Sequence, residues 1–492
     1  MNFPYLTAVI FLPVVGAILI AFMPNLSTRL IKRVAAVFTL VPLAFSVFMF
    51  VVFDRSAEAA GVIQFEEKIS WIPVINANYH LGVDGLSLPL VLLMTFLGFL
   101  VVLISWKIDL RPREYFAWLL LLEASILGVF SSLDLLLFFL FWEVEIIPMY
   151  FLISIWGSGR REYSAIKYVI YTLFGSALML AGILSLYLTT GSLNMLDIAR
   201  GGFASVTAVI PLAVMFLLLF IGFAIKLPIF PLHTWLPDAH TDAPTAVSVV
   251  LAGALLKMGG YGMIRLCVTI FPEIAHRYAP ILVVFAVISI LYGAAVTLRQ
   301  TDLKRMIAYS SVSHMGYVLL GIFALTNVSL TGAALQMFSH GIITGLLFAM
   351  AGVVMHNTHE RNLSKLGGLA RQIPFMTVVF SVAGLASLGL PTTSGFAAEF
   401  LVFIGSFAST TVAGIQVYTL LAVFGVVLTA GYILLMLQRV FYGEVLEKFK
   451  GTSDADAIEK IYMVAFVAII MLVGIYPAIL TDVIKIAISP IL

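Results

Sequence analysis

The sequence has a single cysteine and few charged side chains. One cysteine, Cys267, among 492 residues cannot form an internal disulfide, a CxxC redox pair or a four-thiolate iron–sulfur site. Charged residues make up 11% of the chain, against about 25% in an average soluble protein. This composition excludes soluble enzyme domains and nucleic-acid binders. The formal net charge is only +2, so any electrostatic signal must lie in where the charges are placed.

Apolar sequence is what the chain has in abundance, with 62% hydrophobic residues and a mean hydropathy of +1.11. These values are typical of an integral membrane protein. Because the hydrocarbon core offers no partner to backbone polar groups, the spanning units are helices of about 20 apolar residues. The pattern predicts an all-α, polytopic membrane protein with about 14 such helices, at approximately 5–23, 31–53, 85–106, 113–131, 133–156, 163–189, 207–238, 244–268, 280–298, 304–325, 330–355, 373–408, 415–440 and 461–486.

Two connections between the predicted spans are long. Residues 54–84 are polar enough for a surface hairpin, and the charged stretch 443–460 predicts an interfacial amphipathic helix. The first span has no basic run before it and no small-residue cleavage site, so we expect a retained helix rather than a signal peptide.

The basic residues test this segmentation, because Lys and Arg in short loops collect on the cytoplasmic side. Most of the 27 Lys and Arg lie in loops that follow odd-numbered helices, such as Arg160 and Arg161 after the fifth. A miscounted helix would have scrambled this alternation. The bias predicts that both termini face away from the cytoplasm of a bacterial inner membrane or an equivalent energy-converting membrane.

A row of ionisable side chains lies inside the predicted spans. An ionisable group at the centre of a membrane helix costs at least about 2.5–3.5 kcal/mol, so each needs a partner or a task. The glutamates at 143 and 145 are two positions apart and point to different helix faces at about 100° per residue, and we expect Glu143 to face the interior. The row comprises Glu123, Glu143, Glu145, Lys226, Lys257, His314, His340 and Glu399.

Proton transfer is the chemistry that such a row permits. Desolvation and an approaching opposite charge push the proton affinity of a buried Lys or Glu in opposite directions, and histidine titrates near neutral pH. A static ion pair between Glu143 and Lys226 that only fastens helices together is the alternative for that pair. For each histidine, the alternative is a core imidazole bonded to a neighbouring helix.

Two predicted spans carry helix breakers beside a charge. Pro228 and Pro231 follow Lys226, and Gly389, Pro391 and Gly395 precede Glu399. Each proline removes a backbone donor and obstructs the preceding turn, and broken backbone at membrane depth must be received by protein or a hydrated cavity. Two such breaks predict two inverted five-helix repeats, which divides the chain into 1–112 (helices 1–3), 113–270 (first repeat), 271–443 (second repeat) and 444–492 (the interfacial segment and helix 14).

Several strings resemble the antiporter-like membrane subunits of NADH:quinone oxidoreductase, respiratory complex I, nearly from end to end. The short C-terminus and the GVDGLSLPL string at Asp84 resemble the M type, called subunit 4 in mitochondria. The second carboxylate in WEVE resembles the cyanobacterial and chloroplast NADH dehydrogenase-like complexes more, which leaves the electron donor open. The strings are FFLFWEVEIIPMYFLISIWG, IKLPIFPLHTWLPDAHTDAPTAVSVVLAGALLKMGGYGMIR, DLKRMIAYSSVSHMGYV, ALQMFSHGIITGLLF and LPTTSGFAAEF.

The resemblance implies a proton channel whose residues can be named in this sequence. Glu143 would be the helix 5 carboxylate and Lys226 its ion-pair partner, with Lys257 as the central lysine. His314 and His340 would continue a hydrated chain to Glu399. Glu123, Glu145, His233 and Asp238 are accessory candidates.

The same resemblance implies what surrounds the chain. We expect no cofactor and no direct NADH binding here, because the chain has no GxGxxG fingerprint after a strand. Flavin and iron–sulfur clusters would belong to partner subunits. Direct partners would be other antiporter-like and small membrane subunits and lipids, with no nucleic acid.

Two alternatives use the same residues. A sodium/proton antiporter subunit of the multi-subunit cation type shares these motifs and would co-purify with purely membrane-embedded partners. A haem-binding electron carrier would use His314, His340, His233 or His240 as axial ligands, but it would leave the buried lysines without a purpose.

Overall fold

The computed structural model describes residues 3–24, 27–203 and 207–491, and it confirms an all-α membrane fold. Three long helices begin the chain, and a two-stranded hairpin interrupts them after the second. Apolar side chains on nearly every face make these helices suited to lipid or to the centre of a bundle. They are α1 (Tyr5–Phe22), α2 (Thr28–Val52), β1 (Gln64–Ile72), β2 (Ala77–Val83) and α3 (Ser87–Ile104).

The second group of helices runs from residue 112 to 268. One span in this group is wholly buried in the molecule: Thr245–Val268, where the π-helical segments Leu251–Leu255 and Met263–Val268 flank a short α-helix. The α-helices of the group are α4 (Pro112–Ser131), α5 (Leu135–Val144), α6 (Ile146–Trp156), α7 (Arg161–Thr190), α8 (Met195–Gly201), α9 (Leu212–Lys226), α10 (Trp235–Asp242), α11 (Thr245–Val250) and α12 (Leu256–Gly262).

The third group runs from residue 272 to 441, and two further helices follow it. In the described part of the chain, 12 helices are long and apolar enough to cross a membrane, and shorter apolar helices complete the broken spans. The helices are α13 (Pro272–Leu298), α14 (Leu303–Phe323), α15 (Asn327–Thr358), α16 (Pro374–Ser387), α17 (Ser394–Phe407), α18 (Ile415–Phe441), α19 (Ala457–Ile475) and α20 (Ala478–Ile488).

The loop predictions have mixed outcomes. The hairpin predicted for residues 54–84 is confirmed, since β1 and β2 pair antiparallel. The interfacial helix predicted for 443–460 is wrong: that stretch holds a single 3₁₀ turn, Glu447–Phe449, before α19 begins. The last predicted span is two helices, because Pro477 lacks the backbone N–H that would continue α19.

Two isolated antiparallel β-bridges lie at corresponding positions in the second and third groups of helices. Asp134, at the start of α5, pairs with Asn194, and Asp302, at the start of α14, pairs with Asn362. At both bridges the Asp and the Asn side chain each accept a hydrogen bond from a backbone N–H group of the turn that follows, as helix-capping residues do. The predicted spans place the two bridges on opposite sides of the membrane, which supports inverted repeats. The repeat boundaries 113–270 and 271–443 stay a prediction.

A buried ion pair ties the hairpin end of α3 to the buried span. Arg265 Nη2 lies 2.6 Å from Asp84 Oδ2, and Arg265 Nε lies 3.3 Å from the Tyr261 hydroxyl oxygen. Asp84 also accepts from the backbone N–H groups of Leu86 and Ser87. Burial works to raise the pKa of Asp84, but the Arg265 charge and these N–H donors outweigh it and hold that pKa below its usual value.

Replacing this carboxylate is expected to destabilise the fold. Asp84→Asn keeps the shape of the side chain but leaves the Arg265 guanidinium buried without its counter-charge, which costs about 3–5 kcal/mol in comparable buried pairs. The measurement is the melting temperature of the purified protein in detergent, and we expect a clear decrease. Asp482→Asn is the control, because Asp482 is exposed on α20; equal melting temperatures for the two variants would contradict the prediction.

Candidate functional site

The first cluster of charges lies where α5, α7 and α9 meet, and its ion pair differs from the predicted one. Lys226, the last residue of α9, pairs with Glu145 and not with Glu143. Both partners are almost completely buried, at 1% and 0% side-chain exposure. The Tyr168 hydroxyl donates to Glu145 Oε2 at 2.6 Å and lies 3.3 Å from Lys226 Nζ, so the ion pair is also hydrogen-bonded.

The expectation that Glu143 rather than Glu145 faces the interior is therefore wrong, and the fifth span is interrupted close to this point. The fifth span, Leu135–Trp156, is interrupted at one residue: α5 ends at Val144 and α6 begins at Ile146, and Glu145 between them keeps helical dihedral angles. Pro148 has no N–H for the Val144 carbonyl and its ring obstructs that turn. Glu145 sits at the resulting break and points inward, whereas Glu143 is only partly buried. The two glutamates do point in different directions, as their spacing predicts.

The break after Lys226 is confirmed. Residues 227–234 separate α9 from α10, and the freed polar groups find partners: Trp235 Nε1 donates to the Ile225 carbonyl at 2.9 Å, and the Phe230 N–H donates to Ser289 Oγ at 3.1 Å. Such partners are what broken backbone needs at membrane depth.

The second cluster runs from Lys257 to Glu399 across α12, α15, α14 and α17. Lys257 is fully buried, bonded to the Ala252 carbonyl inside the π-helical segment, and its Nζ lies 2.8 Å from His340 Nδ1. Among the described residues no carboxylate lies within ion-pair distance of this lysine. The contact needs one donor and one acceptor, so a single proton lies between Lys257 and His340.

The histidines continue the second cluster toward Glu399. The rings of His340 and His314 have centroids 5.6 Å apart, and His314 Nδ1 lies 3.3 Å from Glu399 Oε1. His314 Nε2 lies 3.2 Å from Ser387 Oγ and 3.4 Å from the Tyr432 hydroxyl oxygen. Both histidines and Glu399 line a cavity of about 10 Å³, roughly the room that one water molecule needs.

The predicted break before Glu399 is also confirmed. Residues 388–393 separate α16 from α17, and Gly389 there has φ +80°, a conformation that side chains disfavour. A Cβ added at Gly389 would lie 3.0 Å from Glu399 Oε2. The break therefore holds Ser387 and Glu399 on either side of the His314 ring.

The two clusters adjoin through a close helix contact. A Cβ at Gly259 would lie 2.6 Å from the Phe223 carbonyl oxygen and 2.7 Å from the Leu227 nitrogen, so α12 packs on the very turn that carries Lys226. Between the two clusters, the described residues form no direct hydrogen bond from Lys226 to Lys257.

The accessory candidates fall in different places. Glu123 is buried on α4 against Gly98 of α3, and no cation pairs with it in the described chain. Asp238, in the first turn of α10, binds Lys167 Nζ at 2.7 Å and Arg305 at 3.4 Å. His233 lies in the break after α9, where both ring nitrogens are buried with no partner among the described residues.

His240 is a residue that the proton-transfer interpretation of the sequence missed. It is fully buried, its ring stacks on Phe348 with centroids 4.5 Å apart, and neither ring nitrogen has a partner in the described chain. Its electrostatic neighbours include Lys304, Lys257 and His340. Lys304 in turn donates to the Ala243 carbonyl at 2.7 Å. The second histidine of HTWLPDAH was the available signal, since it lies beside Asp238 in the sequence.

A family model described as NADH:quinone oxidoreductase/Mrp antiporter, TM, matches residues 132–429. The chain belongs to this family. An NAD(P)H-quinone oxidoreductase chain 4 of Microcystis aeruginosa is 41% identical over 510 residues, covering 98% of this chain and 91% of the relative. NADH-quinone oxidoreductase subunit M of Rhodobacter capsulatus is 40% identical over 497 residues, covering 97% and 94%.

Solved structures agree with this membership. A chain of respiratory complex I from Thermus thermophilus superposes with a TM-score of 0.88 at 28% identity, covering 99% of both chains. A chain of the Mrp complex from Dietzia sp. has a TM-score of 0.87 at 22% identity, a likeness of fold alone. The predicted resemblance to the M-type, antiporter-like complex I subunits is thereby confirmed.

Proposed function

We propose that this chain translocates protons across the membrane as a non-redox subunit of NADH:quinone oxidoreductase, driven by quinone reduction elsewhere in the complex. The observation that carries the proposal is the series Lys257, His340, His314 and Glu399, in which each side chain is ionisable and contacts or faces the next. A purely structural role would favour apolar packing there, since buried charge costs folding energy.

The ion pair at the first break provides the control point. While Lys226 is paired with Glu145, its charge is balanced. When the pair opens, the unbalanced ammonium lies across the contact between α9 and α12 from Lys257, and it disfavours a second positive charge on Lys257. At 4 Å and an effective dielectric of 20 two charges interact by about 4 kcal/mol. Moving one proton against roughly 150 mV needs about 3.5 kcal/mol, so opening one pair is energetically sufficient.

The route that we propose begins on the predicted cytoplasmic side. Asp238, with Lys167 and Arg305, lies on α10 toward that side, and His240, two residues further along the same helix, has Lys257 among its charged neighbours. Protons would pass from there to Lys257 and His340, then through His314 to Glu399. Water in the cavity beside His314 would complete the step between the two rings, whose distance is too long for a direct hydrogen bond.

The environment of the subunit follows from the same proposal. Flavin and iron–sulfur clusters would reside in partner subunits, and neighbouring antiporter-like subunits and lipids would cover the apolar faces that this chain exposes, such as Val417, Leu420 and Val427 of α18. Both termini would lie on the non-cytoplasmic side. Co-purified partners that carry flavin and iron–sulfur clusters would favour this assignment over a sodium/proton antiporter.

Lys226→Ala tests the proposal. Without the ammonium, opening or closing the pair no longer changes the field at Lys257, so we expect the protons moved per electron pair by the assembled complex to decrease, with quinone reduction retained. Lys365→Ala, at an exposed position in the 3₁₀ turn Leu363–Lys365, is the control. Unchanged proton movement in Lys226→Ala would end the proposal.

A further inference from the structure

The first cluster holds more negative groups than its lysine can balance. Around the Lys226 ammonium the titratable side chains are Glu145 from the break of the fifth span, Glu143 from α5 and Tyr168 from α7. Glu145 already accepts hydrogen bonds from the ammonium and from the Tyr168 hydroxyl. Two ionised carboxylates and one ammonium would leave a net charge of −1 inside the membrane.

Glu143 is the carboxyl group of this cluster that has no counter-ion among the described residues. Its Oε1 is buried and has no hydrogen-bond partner in the described chain, although the Ser176 hydroxyl and Lys226 are its neighbours. One turn to either side, Leu140 and Ile147 are 39% and 53% exposed, so Glu143 lies at the rim of the bundle. An ionised carboxylate there would meet the insertion cost of about 2.5–3.5 kcal/mol for a charge at membrane depth.

We propose that Glu143 and Glu145 form a proton-loading site with Lys226, in which the ammonium pairs with one carboxylate while the other carboxyl holds a proton. The site is then neutral at rest in both arrangements, and the ammonium is unbalanced only while its pair with one carboxylate is open. This inference rests on the proposed function and deepens it, because it supplies the step by which a proton enters the first cluster from the rim.

The loading step conserves atoms and charge. In the first arrangement Glu143 is protonated and Lys226 pairs with Glu145. An N–H bond of the ammonium breaks as an O–H bond forms on Glu145, and the O–H bond of Glu143 breaks as an N–H bond re-forms on Lys226. The lysine is again an ammonium, now beside an ionised Glu143, and the proton has moved from the rim to the fully buried carboxyl.

The local backbone suits such an exchange. Lysine reaches its partners on a flexible four-carbon stem, and Lys226 lies at a helix end rather than within a helix. Glu145 likewise lies at the break between α5 and α6. Both residues therefore lie at helix ends, where the backbone has fewer regular hydrogen bonds than in a helix interior.

The test counts protonated carboxyl groups by infrared spectroscopy of the assembled complex at neutral pH. We expect Glu143→Gln to lose the signal of one protonated carboxyl relative to wild type. Glu145→Gln should lose one as well, because Glu143 then ionises to pair with Lys226. Lys226→Met should gain one, because Glu145 then takes a proton. Glu162→Gln, exposed at the start of α7, is the matched control and should change nothing.

The outcomes separate this inference from the proposed function. If Glu143→Gln leaves the carboxyl signal unchanged while proton movement still depends on Lys226, the loading site is wrong and the proposed function stands. If the signals change as expected while Lys226→Ala moves protons normally, the proposed function is wrong. Glu143→Asp, which keeps a carboxyl at the rim, should retain the wild-type signal and thereby shows that the Glu143→Gln loss reports the proton and not the fold.

Discussion

Lys257→Met is expected to abolish proton translocation by this subunit while leaving the fold as stable as before or more stable. Methionine matches the length of the lysine stem but carries no proton, so the series from His240 to His340 is interrupted at its centre. Lys257 has no carboxylate partner among the described residues, and removing a buried charge of that kind relieves a desolvation cost. We expect translocation to fall about tenfold or more, equivalent to at least about 1.4 kcal/mol in the barrier.

The measurements are protons moved per electron pair and the melting temperature of the complex. Lys257→Arg keeps the positive charge but cannot release a proton, because a guanidinium stays protonated. This variant should also fail to translocate protons. Lys485→Met is the control, since Lys485 is exposed on α20. A Lys257→Met complex that translocates at the wild-type ratio would show that the proton path bypasses this lysine.

Glu399→Gln is expected to block the far end of the same series. The glutamine keeps the volume and hydrogen-bonding capacity of the side chain beside His314 but cannot accept and release a proton. His314 would then have no titrating partner on α17, and Ser387 and Tyr432 cannot replace one, because hydroxyl groups do not ionise near neutral pH. We expect a loss of translocation of about tenfold or more, with the assembly of the complex intact.

A double-variant comparison makes this prediction specific. His314→Gln, Glu399→Gln and the double variant should each lose about the same share of proton translocation, since the effects of residues that act as one unit are not additive. Glu444→Gln, at an exposed position after α18, is the control. Losses that add in the double variant would mean that the two residues act separately, and wild-type translocation in Glu399→Gln would remove it from the path.

The sequence predicted the membrane fold well because lipid imposes a simple requirement. Apolar length and the placement of Lys and Arg were enough to find every long helix, and proline beside Lys226 and beside Glu399 was enough to find both breaks. The identities of Lys257, His340, His314 and Glu399 were also predicted, because ionisable side chains stand out in an apolar span. The structure places all four in one series, with direct contacts at both ends and neighbouring rings between His340 and His314.

The errors have a common source in local backbone chemistry. Glu145 lies at a one-residue interruption of the fifth span near Pro148, and it is the glutamate that Lys226 meets. The proline was visible in the sequence, but which of residues 143 and 145 faces the lysine was not. The π-helical segments on either side of Lys257 were equally hidden, and one of them supplies the Ala252 carbonyl that the lysine binds. The charged stretch 443–460 was predicted as a helix, but it forms mostly irregular chain.

The sequence by itself determined that this is a membrane protein with charges at mid-depth, because hydrocarbon excludes water and the number of apolar residues and the position of each charge are written in the chain. Only the tertiary structure decided which charges meet. Pairing depends on helix rotation, on breaks and on packing such as Gly259 against the turn of Lys226, and rotating a helix by one residue turns a side chain by about 100°. That rotation placed Glu145 against Lys226 and left Glu143 at the rim.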